Sequence, residues 1–208
     1  MRHGRRWRPR HQRRDTRMTD FMAAPLTPAT WRDFEQVMGE NGGARGCWCM
    51  HWRLSFKEWA EGAGEGNRNA LRTRAEQQPP PGLVCYLGGE PVGWVGLGDR
   101  AEYPRLQRSP VTRALDDTPV WVITCLFVRR GHRRRGLQTK MINAACDFAA
   151  EHGRHTVEAF PVAPAPGRTA GADNAMTGIA SAFRAAGFTE AARRKKDRPA
   201  MRRTVTGT

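Results

Sequence analysis

The densest run of residues able to do chemistry is Val128-Arg-Arg-Gly-His-Arg-Arg-Arg-Gly-Leu-Gln138, a basic turn between an apolar stretch and a helical one. The free N–H groups of a helix's first turn, with the positive end of its dipole, bind an anion without any side chain. Arg133, Arg134 and Arg135 add charge where a pyrophosphate would sit, and Gly136 allows close backbone approach. The bland alternative is a solvated basic turn. Cys47-x-Cys49-x-His51 offers metal-ligand types, but zinc wants four ligands and the sequence supplies no second pair, so packing at a helix end is expected. Glu158 stands in an otherwise apolar stretch, where an acid is costly unless paired or functional. It is the candidate general base; the alternative is an ion pair with one of the many arginines. Glu102, Asp116 and Asp117 are weaker candidates from a flanking loop, and Cys125 is disfavoured as a nucleophile because no histidine lies near it in sequence.

These residues need elements to position them. Thr30 is a candidate N-cap for a helix carrying Trp31, Phe34, Val37 and Met38 on one face, stopped by Asn41-Gly-Gly. Further helices are predicted over Ser55–Ala60 and Asn67–Gln77, the latter closed by Pro79-Pro-Pro81. The sheet is expected to begin at Leu83–Leu87, turning through Gly88-Gly-Glu90 into Pro91–Leu97. Asp99–Asp117 reads as loop. Val120–Val128 is β-branched, aromatic and uncharged, as a central buried strand should be. A helix from about Gly136 to His152 follows, then a strand His155–Phe160, a short helix Gly178–Ala186 and a last strand from Phe188. The order specifies an α/β (α+β) domain: one central mixed, mostly antiparallel sheet with helices on both faces.

A chain of 208 residues suits one compact domain with tails. The formal charge of +15 is concentrated at the ends: eight arginines against Asp15 give +7 over residues 1–17, and Arg193 to Arg203 carry seven cations against Asp197, for +6. Residues 1–17 hold almost no aliphatic side chains and read as a disordered basic tail, as a basic arm for nucleic acid, or as a non-native start ahead of Met18. Residues 18–192 are the expected domain and 193–208 a basic C-terminal strand or tail. Five cysteines at irregular spacing argue for reduced thiols. The longest apolar uncharged stretch is about half of the roughly 20 residues that a membrane span requires, and no apolar run follows the arginine-rich start, so a cytoplasmic protein is expected.

The segment from Val128 to Gln138 resembles the signature of the GCN5-related N-acetyltransferase (GNAT) superfamily: a strand ending in a hydrophobic residue, then Gln/Arg-x-x-Gly-x-Gly/Ala, then a helix. Arg133 stands at the Gln/Arg position and Gly136 at the first glycine; Gln138 replaces the usual Gly or Ala, which tightens the approach to a pyrophosphate. Pro91–Leu97 resembles the superfamily's third strand, and Phe183-Arg-Ala-Ala-Gly-Phe188 its Tyr-x-x-x-Gly-Phe segment. Gly46-Cys-Trp-Cys-Met-His-Trp-Arg53 is similar to a stretch of one bacterial subgroup. The resemblance covers roughly residues 30–192.

It implies acetyl-CoA as co-substrate, no metal, and direct attack by a primary amine in a ternary complex. The implied cofactor site comprises Leu126, Phe127, Val128, Arg133, Arg134, Arg135, Gly136, Leu137, Gln138 and Thr139, with the main chain near Leu126–Val128 holding the thioester and pantetheine. The tyrosine that often serves as general acid is Phe183 here, and the strand that carries a glutamate in some protein lysine acetyltransferases has Thr124 and Cys125 instead. Trp48, Trp52, Trp94, Tyr103 and Trp121 are candidates for an apolar acceptor pocket or, more ordinarily, for the core. Expected partners are an amine acceptor, small molecule or protein, and a second copy in a homodimer, without a membrane. A CoA-binding protein without catalysis is the alternative. A basic nucleic-acid-binding module is disfavoured, because the arginine runs are terminal and no readout motif is present.

Overall fold

The computed structural model describes residues 20–165, 167–171 and 174–206; the basic tail expected over residues 1–17 lies outside them. Seven strands form one sheet: β1 (Phe21–Pro25), β2 (Gly82–Leu87), β3 (Glu90–Asp99), β4 (Trp121–Val128), β5 (Thr156–Ala159), β6 (Thr189–Lys195) and β7 (Arg198–Thr204). Their order is β1-β2-β3-β4-β5-β7-β6, antiparallel throughout except for the β4–β5 pair. Six α-helices accompany them: α1 (Trp31–Met38), α2 (Phe56–Glu61), α3 (Glu65–Ala75), α4 (Pro104–Arg108), α5 (Leu137–Glu151) and α6 (Ala180–Ala185). Among the described residues no helix is long and apolar enough to cross a membrane.

Side-chain alternation along the inner strands builds two apolar layers. Leu83, Cys85, Leu87, Val95 and Leu97 pack under α5 with Met141, Ile142, Ala145 and Phe148. Val84, Tyr86 and Trp94 face the other way, against Trp31, Phe34, Trp48 and Leu71. Strands β2 and β3 are therefore buried on both sides, and helices cover both faces. Local signals set the helix ends. Ser55 caps α2 through a complete capping box with Glu58, and Gly39 closes α1.

Three expectations need correction. The sheet starts earlier than Leu83, because Phe21–Pro25 pairs antiparallel with β2 along an edge. The stretch expected to be loop contains α4 and a 3-10 turn at Arg100–Glu102. The boundary expected at residue 192 falls inside β6, and the basic segment after it supplies β7, an interior strand between β5 and β6.

An ion cluster fastens the segment before α2 to the sheet. Arg53, buried beneath the end of β3, donates to Glu102 and to Tyr103 Oη (2.7 Å), while Arg74 Nη2 pairs with Glu102 at 2.9 Å. Burial raises the Glu102 pKa, but Arg53 and Arg74 overcome it and hold the carboxyl below its ordinary value of 4.5. A depressed carboxylate contributes stability that is present above its unfolded-state pKa and lost as pH falls through the folded one. Glu102→Gln is expected to cost on the order of 3 kcal/mol at pH 7, because it strands two largely buried guanidiniums. In urea titrations the variant and wild type should converge as the pH drops below about 4.

Candidate active site

The site grows from a defect in β4. The β3–β4 ladder passes from Gly96↔Cys125 to Leu97↔Ile123, so Thr124 has no partner and forms a bulge. The bulge inverts the pleat. Before it Trp121 and Ile123 face α5; after it Leu126 and Val128 do, while Cys125 and Phe127 turn to the α1 side. At the same point β5 leaves: it pairs with β4 only at Trp121, Val122 and Ile123. Arg129 N–H donates to Val92 O (2.9 Å) across the β3 side, so by alternation the main-chain groups of Leu126 and Val128 point to the open edge.

A groove of about 590 Å³ runs from that edge to the start of α5. Its near wall contains Leu126, Phe127, Val128, Arg133, Arg134, Gly136, Leu137, Gln138 and Thr139, nine of the ten positions singled out from sequence; Arg135 does not line it. Gly136 is the left-handed N-cap of α5 (φ 72°, ψ 6°), and no side chain caps the helix, so the N–H groups of its first turn face the groove's basic end. A Cβ at Gly136 would meet no protein atom within 4 Å, so the glycine answers to its φ and leaves room for a ligand. Arg134 is also left-handed (φ 61°), which curls the turn, and Arg133 Nε secures it by donating to Val128 O at 2.9 Å. The far wall, with Arg168, Thr169, Ile179 and Ser181, comes from the segment after β5 and from α6, and nothing local in sequence marked it.

A second cavity of about 380 Å³ lies on the α1 side and shares Gly43, Ala44, Phe127 and Met176 with the groove. Its wall carries the Cys47-x-Cys49-x-His51 trio together with Cys125, which no local pattern joined to it. The segment leading into it is strained, with Arg45, Trp48 and Cys49 all at positive φ. Cys49 Sγ sits so close to Gly96 that a Cβ there would lie 2.7 Å away. Hydrogen bonding from the Cys125 thiol, opposed by burial and helped by the Trp94 indole and Arg53, lowers the Cys49 pKa. The same contact and burial push Cys125 well up. Burial, with Arg105 beside it, pulls His51 down to about 4, so its ring is neutral at pH 7. Arg105 Nη1 contacts Nδ1 at 3.3 Å, which leaves the ring proton on Nε2. Among the described residues no group of three or more His, Cys, Asp or Glu is arranged to hold a metal.

Of the five candidate pocket aromatics only Trp52 lines this cavity; Trp48, Trp94, Tyr103 and Trp121 are core. Glu158 lines neither cavity. It is fully buried, and its two oxygens are taken by Arg100 and by Arg202 Nε (2.8 Å), so the assignment as general base gives way to its ion-pair alternative. Asp116 is likewise bound to Arg202 (2.6 Å), and Phe183 is buried against Phe188.

A model of the Acetyltransferase (GNAT) family matches residues 47–167, more than half of the chain. The chain belongs to the GNAT acetyltransferases. Among solved structures, the family fold is shared with a putative arylalkylamine N-acetyltransferase 7 of the yellow fever mosquito, at TM-score 0.55 and 12% identity over 88% of this chain and 87% of that one. Spermidine N-acetyltransferase of Vibrio cholerae, solved with CoA and spermine, matches at TM-score 0.52 and 12% identity, over 90% and 96% of the two chains. A GNAT acetyltransferase of Listeria monocytogenes gives 0.52 and 10% over 89% and 95%. At such identities the likeness is one of fold. Comparison with curated proteins gives no match.

Two substitutions test this layout. Glu158→Gln should lower stability by on the order of 3 kcal/mol in denaturant titration. Turnover per folded molecule should stay within about tenfold of wild type, whereas loss of a general base would cost about 10²–10⁴-fold. Gly96→Ala should destabilise by about 1–3 kcal/mol, since its methyl must displace the Cys49 sulfur.

Proposed function

We propose that this GNAT protein moves an acetyl group from acetyl-CoA to a primary amine by direct attack within a ternary complex. The observation that carries the reading is the pair of cavities meeting at the β4 bulge. One is basic and built around a helix N-terminus; the other is mostly apolar, and they share a wall at Phe127 and Met176. Acetyl-CoA fits the first. Its pyrophosphate would lie on the α5 N–H groups beside Arg133 and Arg134, with its pantetheine arm along the open edge of β4, paired as an added strand would be. The N–H of Leu126 or Val128 then stands where the thioester oxygen gathers charge.

The amine reaches the thioester carbon from the second cavity as a free base. Its lone pair forms the new C–N bond, the C–S bond breaks, and the proton lost from nitrogen ends on the CoA sulfur, directly or through water. Holding two reactants at one junction supplies much of the rate, so neither a covalent enzyme intermediate nor a carboxylate base is required. With Glu158 sealed in its ion pair and Phe183 unable to donate, positioning bears more of the load than proton transfer does.

Calorimetric titration with acetyl-CoA is the test. Wild type should bind, and Gly136→Asp should weaken binding at least about 30-fold, roughly 2 kcal/mol, by setting a carboxylate against the pyrophosphate. Aspartate tolerates left-handed φ better than most residues, so the fold should persist with a melting temperature lowered by only a few degrees while binding is lost. Absence of binding in folded wild-type protein overturns the proposal.

A further inference from the structure

The second cavity has an electrostatic character that the acetyl-transfer reading leaves unused. Among its described lining residues there is no aspartate or glutamate, while Lys195 and Arg198 stand at one end and His51 is neutral. Lys195 ends β6 and Arg198 begins β7, so the turn between these strands brings both cations to the cavity. Arg198 is anchored there: its Nη1 donates to Thr177 Oγ1 at 2.6 Å and to Phe160 O at 3.3 Å, and both residues line the same space. Burial lowers the Arg198 pKa against the pull of neighbouring Asp197, the mark of a cation partly stripped of water. The remaining wall is largely apolar, with Met38, Trp52, Val111, Phe127, Phe160 and Met176.

Such a lining is a poor host for a polycation, which needs acids to replace its water, and a good one for a molecule with an apolar body and an anionic end. Resting on the acetyl-transfer reading above, we infer that the acceptor is a carboxylate-bearing apolar amine of the hydrophobic amino-acid class. Its carboxylate lies at Arg198 and Lys195, and its amine points to the shared wall at Phe127. The same cations answer for the missing base. Asp197, paired with Lys195 at 3.5 Å, offsets part of this charge but does not line the cavity, so the positive potential inside disfavours an ammonium group and the bound amine gives its extra proton to water and waits as the nucleophile. The step then balances as free amine plus acetyl-CoA giving amide plus CoA thiol.

The test compares kcat/KM for L-phenylalanine and L-methionine with that for their decarboxylated counterparts and for spermidine, read as CoA thiol release. Wild type should favour the amino acids by at least about 30-fold, the worth of one or two charge-assisted hydrogen bonds. Arg198→Gln should shrink that preference to less than about threefold, mainly through KM, with the decarboxylated amines little affected. Lys195→Gln, at a side chain more than half exposed, should move the preference the same way and carries little risk to folding. A donor-free measurement reads the anion site alone: N-acetyl-L-phenylalanine should bind wild type in calorimetry and bind Arg198→Gln about tenfold or more weakly.

Preference for spermidine or the decarboxylated amines, or a preference unmoved in both variants, overturns the inference while acetyl transfer stands. Equal binding of the N-acetyl amino acid to wild type and Arg198→Gln, or none to wild type, overturns it as well. If acetyl-CoA itself does not bind, the parent reading falls first and this one with it.

Discussion

Everything the site can do follows from one unpaired residue in the middle of a strand. A sheet closed on both sides of β4 would satisfy every main-chain group and leave nothing for a ligand. At Thr124 the ladder to β3 skips a residue, the strand bends, and β5 pairs only as far as Ile123. The edge beyond it exposes main-chain groups in the middle of a fold, which is ordinarily a liability. Here it becomes the floor of a groove. The same inversion of the pleat decides which side chains meet which space: Leu126 and Val128 pack into the layer under α5, whereas Cys125 and Phe127 face the second cavity. One irregularity thus makes two compartments and places their boundary at Phe127.

Keeping such a gap open requires stiff surroundings, and buried charge provides them. Glu158 on β5 is gripped by Arg100, at the end of β3, and by Arg202 on β7, so the strand that departs from β4 is tied across the sheet to elements on both sides. Arg53 and Arg74 converge on Glu102 and hold the segment that carries Cys47, Cys49 and His51 against the sheet. Neither cluster need add much net stability, because desolvating its members is costly. Each does make a particular arrangement of elements far cheaper than its neighbours, which a site made of separate walls requires.

These features were unequally visible in the sequence. The groove's near wall was legible because it is contiguous: an uncharged β-branched run, a basic turn and an amphipathic helix follow one another without interruption. Most element positions were legible for the same reason, since periodicity and capping are local. Phe21–Pro25 was missed because an edge strand of Met, Ala and Pro has little strand propensity of its own and gains it by pairing with β2. The chain after Arg193 reads as either strand or tail because its cations mask an alternation that seats Ala200 and Met201 in the core. Glu158 reads as either general base or ion pair because sequence shows the expense of a buried acid and conceals its partners, which lie 58 and 44 residues away. The second cavity was legible only in fragments, as Trp52 and the Cys47-x-Cys49-x-His51 trio. Its wall gathers the stretch before α2, the loop after α4, β4 and the β6–β7 turn, and no window of sequence spans them.

The placement of β7 between β5 and β6 also bears on how the molecule is made. Strands β1 to β4 can pair in the order in which they leave the ribosome, each with a neighbour already present. The other half cannot. β5 has only a three-residue parallel contact with β4, and its second partner, β7, is made after β6. Until residues 198–204 emerge, β5 keeps one open edge, the basic β6 waits without its β7 partner, and Glu158 waits without Arg202. Folding of the half that completes the second cavity is therefore deferred until β7 has been made, and the nascent chain passes through a stage with about half of its sheet formed.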